Sequence, residues 1–294
     1  MQKRTAIANL KKFEITLTTS FECKHGISGH LFEMVEYFYH FHFQKNILTC
    51  ILISDGTTYE EFFKAITDKY DFSEKELEVI LKSTFFYFKP ISIVANTLLI
   101  TNGSLRMHNC DLLVKKIVMF RCNEDVSEYI NKNILILQDY DVYEPMKNSM
   151  HYKKKILFSK FKKLTPKKPN IGMFYATSNS RAMTFDDINI IIKKHLEFEK
   201  FIVLTDKQME VPERCEVLIV PIENLLDSFG TYIYTNASSH IDCSPRFIAE
   251  CKHYNKDLIF ELNGKKDKGL ETRIYDMNYG DIKLKETDDI YSKI

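Results

Sequence analysis

The chain has 294 residues, of which 45% are hydrophobic and 28% are charged, a composition that is ordinary for a globular protein and excludes a disordered one. The formal net charge is +1, so the field of the whole molecule favours neither an anionic nor a cationic partner. The seven cysteines are widely spread and form no C-x-x-C pair, which argues against a disulfide framework or a zinc site and favours a reducing compartment.

The start of the chain is polar and basic, and no apolar run of signal-peptide type follows it. No stretch approaches the 18 consecutive apolar residues that a membrane-spanning helix needs. The sequence therefore predicts a cytoplasmic protein without a membrane partner.

Short β-rich runs alternate with amphipathic helices along the first half, the pattern of a parallel α/β sheet. Helices are predicted from Leu31 to Phe38, from about Thr58, and from Ser73, where Glu76 completes a capping-box pattern. Strands are predicted at Phe13–Thr19, Ile47–Ser54, Thr97–Thr101, Lys116–Arg121 and Ile134–Gln138.

The same pattern resumes after the proline-containing segment Thr165–Pro169, which is typical of a connection between domains. Helices are predicted at Asp186–Leu196 and Pro245–Tyr254. Strands are predicted at Ile171–Tyr175, Phe201–Leu204, Val217–Pro221, Thr231–Tyr234 and Leu258–Glu261. We predict two Rossmann-like domains, residues 1–165 and 166–275, and a C-terminal helix within 276–294 that packs back on the first domain.

The loop after the first predicted strand contains two glycines, Gly26 and Gly29, three residues apart and followed by His30. Glycines allow the backbone to turn tightly and to approach a ligand, and the helix that follows offers free N–H groups. The dinucleotide fingerprint G-x-G-x-x-G is absent. A plain turn with a surface histidine is the alternative interpretation.

A second segment, Ser239–Glu250, leads into a predicted helix that Ser244 and Pro245 would begin. Arg246 and Glu250 share one stripe of this helix, where the arginine and the helix N-terminus suit a diphosphate and the glutamate suits ribose hydroxyls. The alternative is an exposed ion pair, which contributes only a few tenths of a kcal/mol.

These motifs resemble those of GT-B glycosyltransferases. Asp242 and Glu250 stand at the spacing of the E-x7-E pair in the donor domain of that family, and Gly26 to His30 is similar to its glycine-rich first loop. The resemblance implies two Rossmann-like domains that face each other across a cleft, a nucleotide-sugar donor, and no metal or other cofactor.

Donor-binding residues follow from the resemblance, with Asp242 standing where the family has Glu. The family's phosphate-binding Arg and Lys have no unmistakable match. Arg181 and Lys207, which follow the first two predicted strands of the second domain, are the candidates. The predicted donor-binding residues are Gly29, Arg181, Lys207, Asp242, Ser244, Arg246 and Glu250.

No Asp or Glu occurs between Pro145 and Phe185, whereas ten Lys and Arg residues do. Such a basic segment suits phosphates, although a solvated linker surface is an equally good interpretation. The predicted nucleic-acid-binding residues are Lys153, Lys154, Lys155, Lys162 and Lys163.

Together with its compact size, the basic segment makes the chain resemble bacteriophage glycosyltransferases that modify hydroxymethylated bases in double-stranded DNA. The expected reaction moves a sugar from a nucleoside diphosphate to a hydroxyl, with Asp55 or His30 as the base. Asp139 and Asp141 are interpreted as turn residues and not as metal ligands. Two alternatives remain: a non-catalytic nucleic-acid-binding or scaffold protein, and a glycosyltransferase that acts on a cell-surface glycan.

Overall fold

The computed structural model describes residues 7–19, 29–101, 110–120, 133–138, 149–151, 155–164, 168–176, 183–205, 207–219, 225–235, 246–261 and 280–281. The chain divides into two compact units. The first unit comprises Met1–Lys162 and Tyr279–Ile294, and the second comprises Lys163–Asn278.

The first unit contains a parallel sheet of eight strands, in the order β4-β3-β2-β5-β6-β7-β8, with β1 also paired to β5. Its strands are β1 Ala8–Asn9, β2 Ile15–Thr18, β3 Thr49–Ile53, β4 Thr84–Phe86, β5 Ser92–Ile100, β6 Asp111–Phe120, β7 Ile134–Gln138 and β8 Ser149–His151. The central strands are buried on both faces and rich in Ile, Leu and Val, as a parallel sheet requires.

Three helices within the described residues accompany this sheet: α1 Gly29–Phe38, α2 Tyr59–Lys69 and α3 Glu74–Lys82. The predicted apolar face of α1, from Leu31 to Phe38, is buried, and a π-helical turn, Tyr39–Gln44, extends the helix. The capping box predicted from Ser73 and Glu76 is present at the start of α3, and Thr58 with Glu61 forms another at the start of α2.

Residues 155–161 of the first unit pair with residues 280–281 and with the turn between α2 and α3. The short strand β9, Lys155–Ile156, pairs in parallel with β15, Gly280–Asp281. A 3-10 turn, Phe158–Lys160, follows, and Phe161 forms an antiparallel bridge with Tyr70. Gly280–Asp281 is therefore a strand where the sequence analysis placed part of a C-terminal helix, because pairing with β9 takes up its backbone groups; the rest of that predicted helix is outside the described residues.

The second unit has a parallel sheet of five strands in the order β12-β11-β10-β13-β14. Its strands are β10 Ile171–Tyr175, β11 Lys200–Thr205, β12 Cys215–Ile219, β13 Thr231–Thr235 and β14 Asp257–Glu261, and its helices are α4 Phe185–Lys194 and α5 Arg246–His253. One face of α4 packs on this sheet through Ile188, Ile191 and Ile192, against Phe174 and Val203. Full burial of such a side chain stabilises the fold by about 1.5–3 kcal/mol.

Both units are therefore α/β units built on parallel sheets, which confirms the predicted class and is compatible with a Rossmann-like fold. In each sheet the strand order reverses once, between β2 and β5 in the first unit and between β10 and β13 in the second. In open α/β sheets of this kind, ligands bind outside the carboxyl ends of the strands at that reversal.

Candidate functional site

The starts of the five described helices differ in their acidic residues. The helices α2, α3 and α4 each have two acidic residues in the first turn and a capping box that satisfies their N–H groups. In contrast, α1 and α5 have no acidic residue in the first turn. Three described helices follow a strand at a reversal: α1 after β2 and α5 after β13 start without acidic residues, whereas α4 after β10 starts with two. An N-terminus free of acidic side chains is suited to an anion.

The helix α5 begins with a buried ion pair. Arg246 Nε donates a hydrogen bond to Glu250 Oε1 at 2.6 Å, and the two side chains are 9% and 6% exposed. This burial removes the alternative of a solvated surface pair. Charges are costly to remove from water and need several hydrogen-bonding or charged partners in the interior. The burial of this pair therefore has a desolvation cost that interactions with its surroundings must offset.

Aromatic contacts hold α5 at the reversal between β10 and β13. The ring of Phe247 packs edge-on against Tyr175 of β10, at 5.5 Å, and against Tyr232 of β13, at 5.0 Å. Cys251, one turn further, is fully buried. Phe247 of the predicted apolar stripe therefore contacts the sheet but is only half-buried, whereas Arg246 and Glu250 of the polar stripe are buried.

The remaining predicted donor-binding residues have separate positions. Lys207 follows β11 and is exposed, and its backbone N–H and carbonyl both bond to the Thr205 hydroxyl. Gly29 is the exposed first residue of α1. Arg181, Asp242 and Ser244 lie outside the described residues, so their predicted roles stay predictions.

In the first unit, His30 lies at the reversal between β2 and β5. Its Nδ1 is 3.2 Å from the carbonyl oxygen of Thr101, which directly follows β5, and 3.5 Å from Glu33 Oε2. Both of those oxygens can only accept, because a carbonyl has no hydrogen and an ionised carboxylate has none either. We therefore assign the hydrogen of the neutral ring to Nδ1, which leaves the lone pair on Nε2.

His30 and Glu33 differ in their exposure to solvent. The His30 side chain is 30% exposed, whereas that of Glu33 is only 3% exposed. The His30 ring can thus meet a ligand while a buried carboxylate lies behind it. A histidine oriented in this way through Nδ1 can accept a proton at Nε2.

Asp55, the other predicted base, serves a turn. Its Oδ1 accepts a hydrogen bond from the backbone N–H of Thr57 at 2.9 Å, and Gly56 between them has a φ of +100°, which favours glycine. The Asp55 side chain is half-buried at the end of β3. Of the two predicted bases, His30 is held through Nδ1 beside the end of β5, and Asp55 supports a turn through Oδ1.

The basic segment is less uniform than its sequence indicates. Lys162 and Lys163 are exposed, which both interpretations of the segment expect, whereas Lys155 is half-buried beside the β9–β15 pairing. Lys160 is not a solvated cation, because its Nζ lies 2.9 Å from Glu76 and 5.3 Å from the centre of the Tyr39 ring. Lys153 and Lys154 are outside the described residues.

Sequence reasoning missed Glu33 and Thr101 as partners of His30. The three-residue spacing of His30 and Glu33 on one helix was a usable signal. No local signal connects His30 with Thr101, because 71 residues separate them and the pairing of β2 with β5 brings them together.

Among the described residues, no group of three or more His, Cys, Asp or Glu side chains could hold a metal ion. No described helix is both long and apolar enough to cross a membrane.

No protein-family model matches the chain, and no curated protein or solved structure matches it either.

Proposed function

We propose that this protein is a glycosyltransferase of the GT-B type, which moves a sugar from a nucleoside diphosphate to a hydroxyl acceptor. The observation that carries the proposal is the pair of parallel sheets with one reversal each, combined with the start of α5, which has no acidic residue in its first turn and follows β13 at the reversal of the second sheet. The facing of the two units across a cleft, as in GT-B enzymes, is part of the proposal.

In the proposed reaction, the acceptor oxygen forms a bond to the anomeric carbon of the sugar, and the bond from that carbon to the diphosphate breaks. His30 Nε2 takes the proton of the acceptor hydroxyl. The imidazolium that forms is stabilised by Glu33, and the Thr101 carbonyl keeps the ring oriented.

The diphosphate leaves with increasing negative charge, which the second unit is proposed to stabilise. The N-terminus of α5 supplies partial positive charge, and Arg246 supplies a full one that Glu250 holds in position. This role for the pair also accounts for the presence of two buried charges beside the point where the strand order reverses.

The test is a thermal-shift screen with UDP, GDP, ADP and CDP, followed by assay of the matching nucleotide sugars. A ligand at 100 times its Kd stabilises the folded state by about 2.7 kcal/mol. We expect one nucleoside diphosphate to raise Tm, and its sugar to be hydrolysed slowly or transferred. If none of the four raises Tm, the protein is not a glycosyltransferase of this kind, and the non-catalytic alternative is favoured.

Hydroxymethylated DNA is proposed as one acceptor on the strength of the exposed Lys162 and Lys163. Each lysine that contacts a phosphate adds about one unit to the slope of log affinity against log salt concentration. Replacing both lysines by Glu should lower that slope by about two. The control replaces Lys75 and Lys193, which are also exposed, and should change the slope little. Undetectable binding of the wild-type protein to duplex DNA at low salt would exclude this acceptor.

A further inference from the structure

The residue that follows β2, Thr19, has a buried hydroxyl with no hydrogen-bond partner in the described part of the chain. Thr19 is 4% exposed, and its Oγ1 neither donates nor accepts. Its carbonyl, in contrast, accepts a bond from the hydroxyl of Ser54 at 3.5 Å. Buried polar groups are almost always paired, so a hydroxyl without a partner requires a specific explanation.

The strand register shows which residue lies beside Thr19. Thr18 pairs with Ile100, and the N–H of Thr101 donates to the Thr18 carbonyl, so Thr19 and Thr101 lie side by side on the same face of the sheet. The Thr101 hydroxyl donates to the carbonyl of His30, in the first turn of α1. Thr19 therefore lies beside a residue that is bonded to the start of α1, next to the base proposed above.

The charges nearby favour a neutral ligand group. Glu33 is 3% exposed and lies 3.5 Å from His30. A carboxylate in a poorly solvated environment repels a phosphate or carboxylate strongly. A neutral hydroxyl avoids this repulsion and can both donate to and accept from the hydroxyl of Thr19.

We propose that Thr19 binds a neutral hydroxyl of a carbohydrate acceptor, adjacent to the hydroxyl from which His30 takes the proton. This inference rests on the proposed function and adds to it the class of acceptor and a residue that positions it. Thr19 contributes through the orientation of the acceptor and takes no part in the proton transfer.

The neighbouring residue provides a matched control. Thr18 Oγ1 donates to the Leu52 carbonyl at 3.0 Å and lies on the opposite face of the sheet. Valine has the shape of threonine without the hydroxyl. We expect Thr19→Val to leave Tm unchanged or higher in the free protein, because no bond is lost. Thr18→Val should lower Tm by about 2–4 °C. If Thr19→Val lowers Tm as much as Thr18→Val does, its hydroxyl serves the fold and the inference is wrong.

The decisive experiment compares hydrolysis of the nucleotide sugar with transfer to methyl glycosides and to their monodeoxy derivatives. Thr19→Val should hydrolyse the donor as fast as the wild type but transfer the sugar about tenfold less efficiently in kcat/KM, the size expected for one hydrogen bond. With the wild type, kcat/KM for one monodeoxy glycoside should be about tenfold lower than for its parent glycoside. With Thr19→Val, the same two glycosides should have nearly equal kcat/KM. Thr18→Val should behave as the wild type with every glycoside.

The possible failures are distinguishable. If the wild type neither hydrolyses the donor nor transfers the sugar, the proposed function fails and this inference with it. If the wild type transfers to glycosides and Thr19→Val does so equally well, only the inference fails. Transfer by the wild type to hydroxymethylcytosine DNA but to no glycoside would also overturn the carbohydrate assignment.

Discussion

His30 and Thr101 are joined by two hydrogen bonds that run in opposite directions. The ring nitrogen Nδ1 of His30 donates to the Thr101 carbonyl at 3.2 Å, and the Thr101 hydroxyl donates to the His30 carbonyl at 3.3 Å. One bond fixes the ring and the other fixes the first turn of α1 to the end of β5. The position of the imidazole is therefore determined by the sheet and not by α1 alone.

Replacing His30 by Asn tests its role as the base. Asn has a donor that can approach the Thr101 carbonyl, but it has no group that accepts a proton at neutral pH. We expect kcat/KM for transfer to fall by about 10²–10⁴-fold, the usual contribution of general base catalysis, while the rise in Tm with the nucleoside diphosphate is retained. His253→Asn, at the exposed end of α5, is the control. Transfer by His30→Asn within threefold of the wild type would contradict the assignment.

Glu33→Gln separates the charge of this residue from its shape. The amide fills the same buried space but does not stabilise the imidazolium that forms during transfer. We expect kcat to fall by about 10–100-fold, which corresponds to about 1.4–2.7 kcal/mol, with little change in KM.

Glu36→Gln is the matched control for this prediction, because Glu36 is fully buried on the same helix but accepts a hydrogen bond from the Tyr70 hydroxyl at 2.7 Å. This variant should lower Tm but change kcat little. Equal losses of kcat in the two variants would indicate that Glu33 acts through the stability of α1 alone.

Local patterns predict most of the described strands and helices. Ile134–Gln138 and Ile171–Tyr175 have the predicted bounds, and the capping box at Ser73 is present. Strands of two or three residues such as β1 and β8 were missed, since their formation depends on pairing with a neighbour and not on their own composition. The π-helical turn Tyr39–Gln44 has no periodicity of its own to predict it.

The site was less predictable than the fold. Helical spacing places Arg246 and Glu250 on one stripe, but the spacing alone does not predict that this stripe is buried. Similarly, Thr19 and Thr101 are distant in sequence, and their proximity follows from the strand order. Contacts of this kind arise from topology, which a single sequence does not encode locally.

Glu76 makes the stability of the first unit depend on pH. Burial opposes its ionisation, but hydrogen bonds from Tyr39, Lys160 and Ser73 outweigh that effect and lower its pKa to about 2. A depressed carboxyl pKa stabilises the fold above the unfolded value, near 4.5, and this contribution is lost as the pH falls towards 2. Tm should therefore fall as the pH is lowered from about 4.5 to about 2. Glu76→Gln should lower Tm at pH 7 and reduce the decrease of Tm over this pH range.

Glu78→Gln is the control on the same helix, since Glu78 is exposed and pairs only with Lys82 there. Its substitution should leave the pH profile of Tm almost unchanged. Identical profiles for Glu76→Gln and the wild type would show that Glu76 does not carry the acid dependence.

The buried pair Arg246–Glu250 allows stability and binding to be separated. Removal of one partner leaves the other buried charge without this ion pair, so Arg246→Met or Glu250→Leu alone should destabilise the protein by about 3–5 kcal/mol. The double variant removes both charges and should recover most of that stability, because apolar side chains of similar volume often replace a buried pair at little cost. If the pair serves the nucleotide, the double variant should be folded, with a Tm near that of the wild type, and should show no rise in Tm with the nucleoside diphosphate. A double variant that binds the nucleotide as the wild type does would show that the pair serves the fold, and the donor site would have to lie elsewhere.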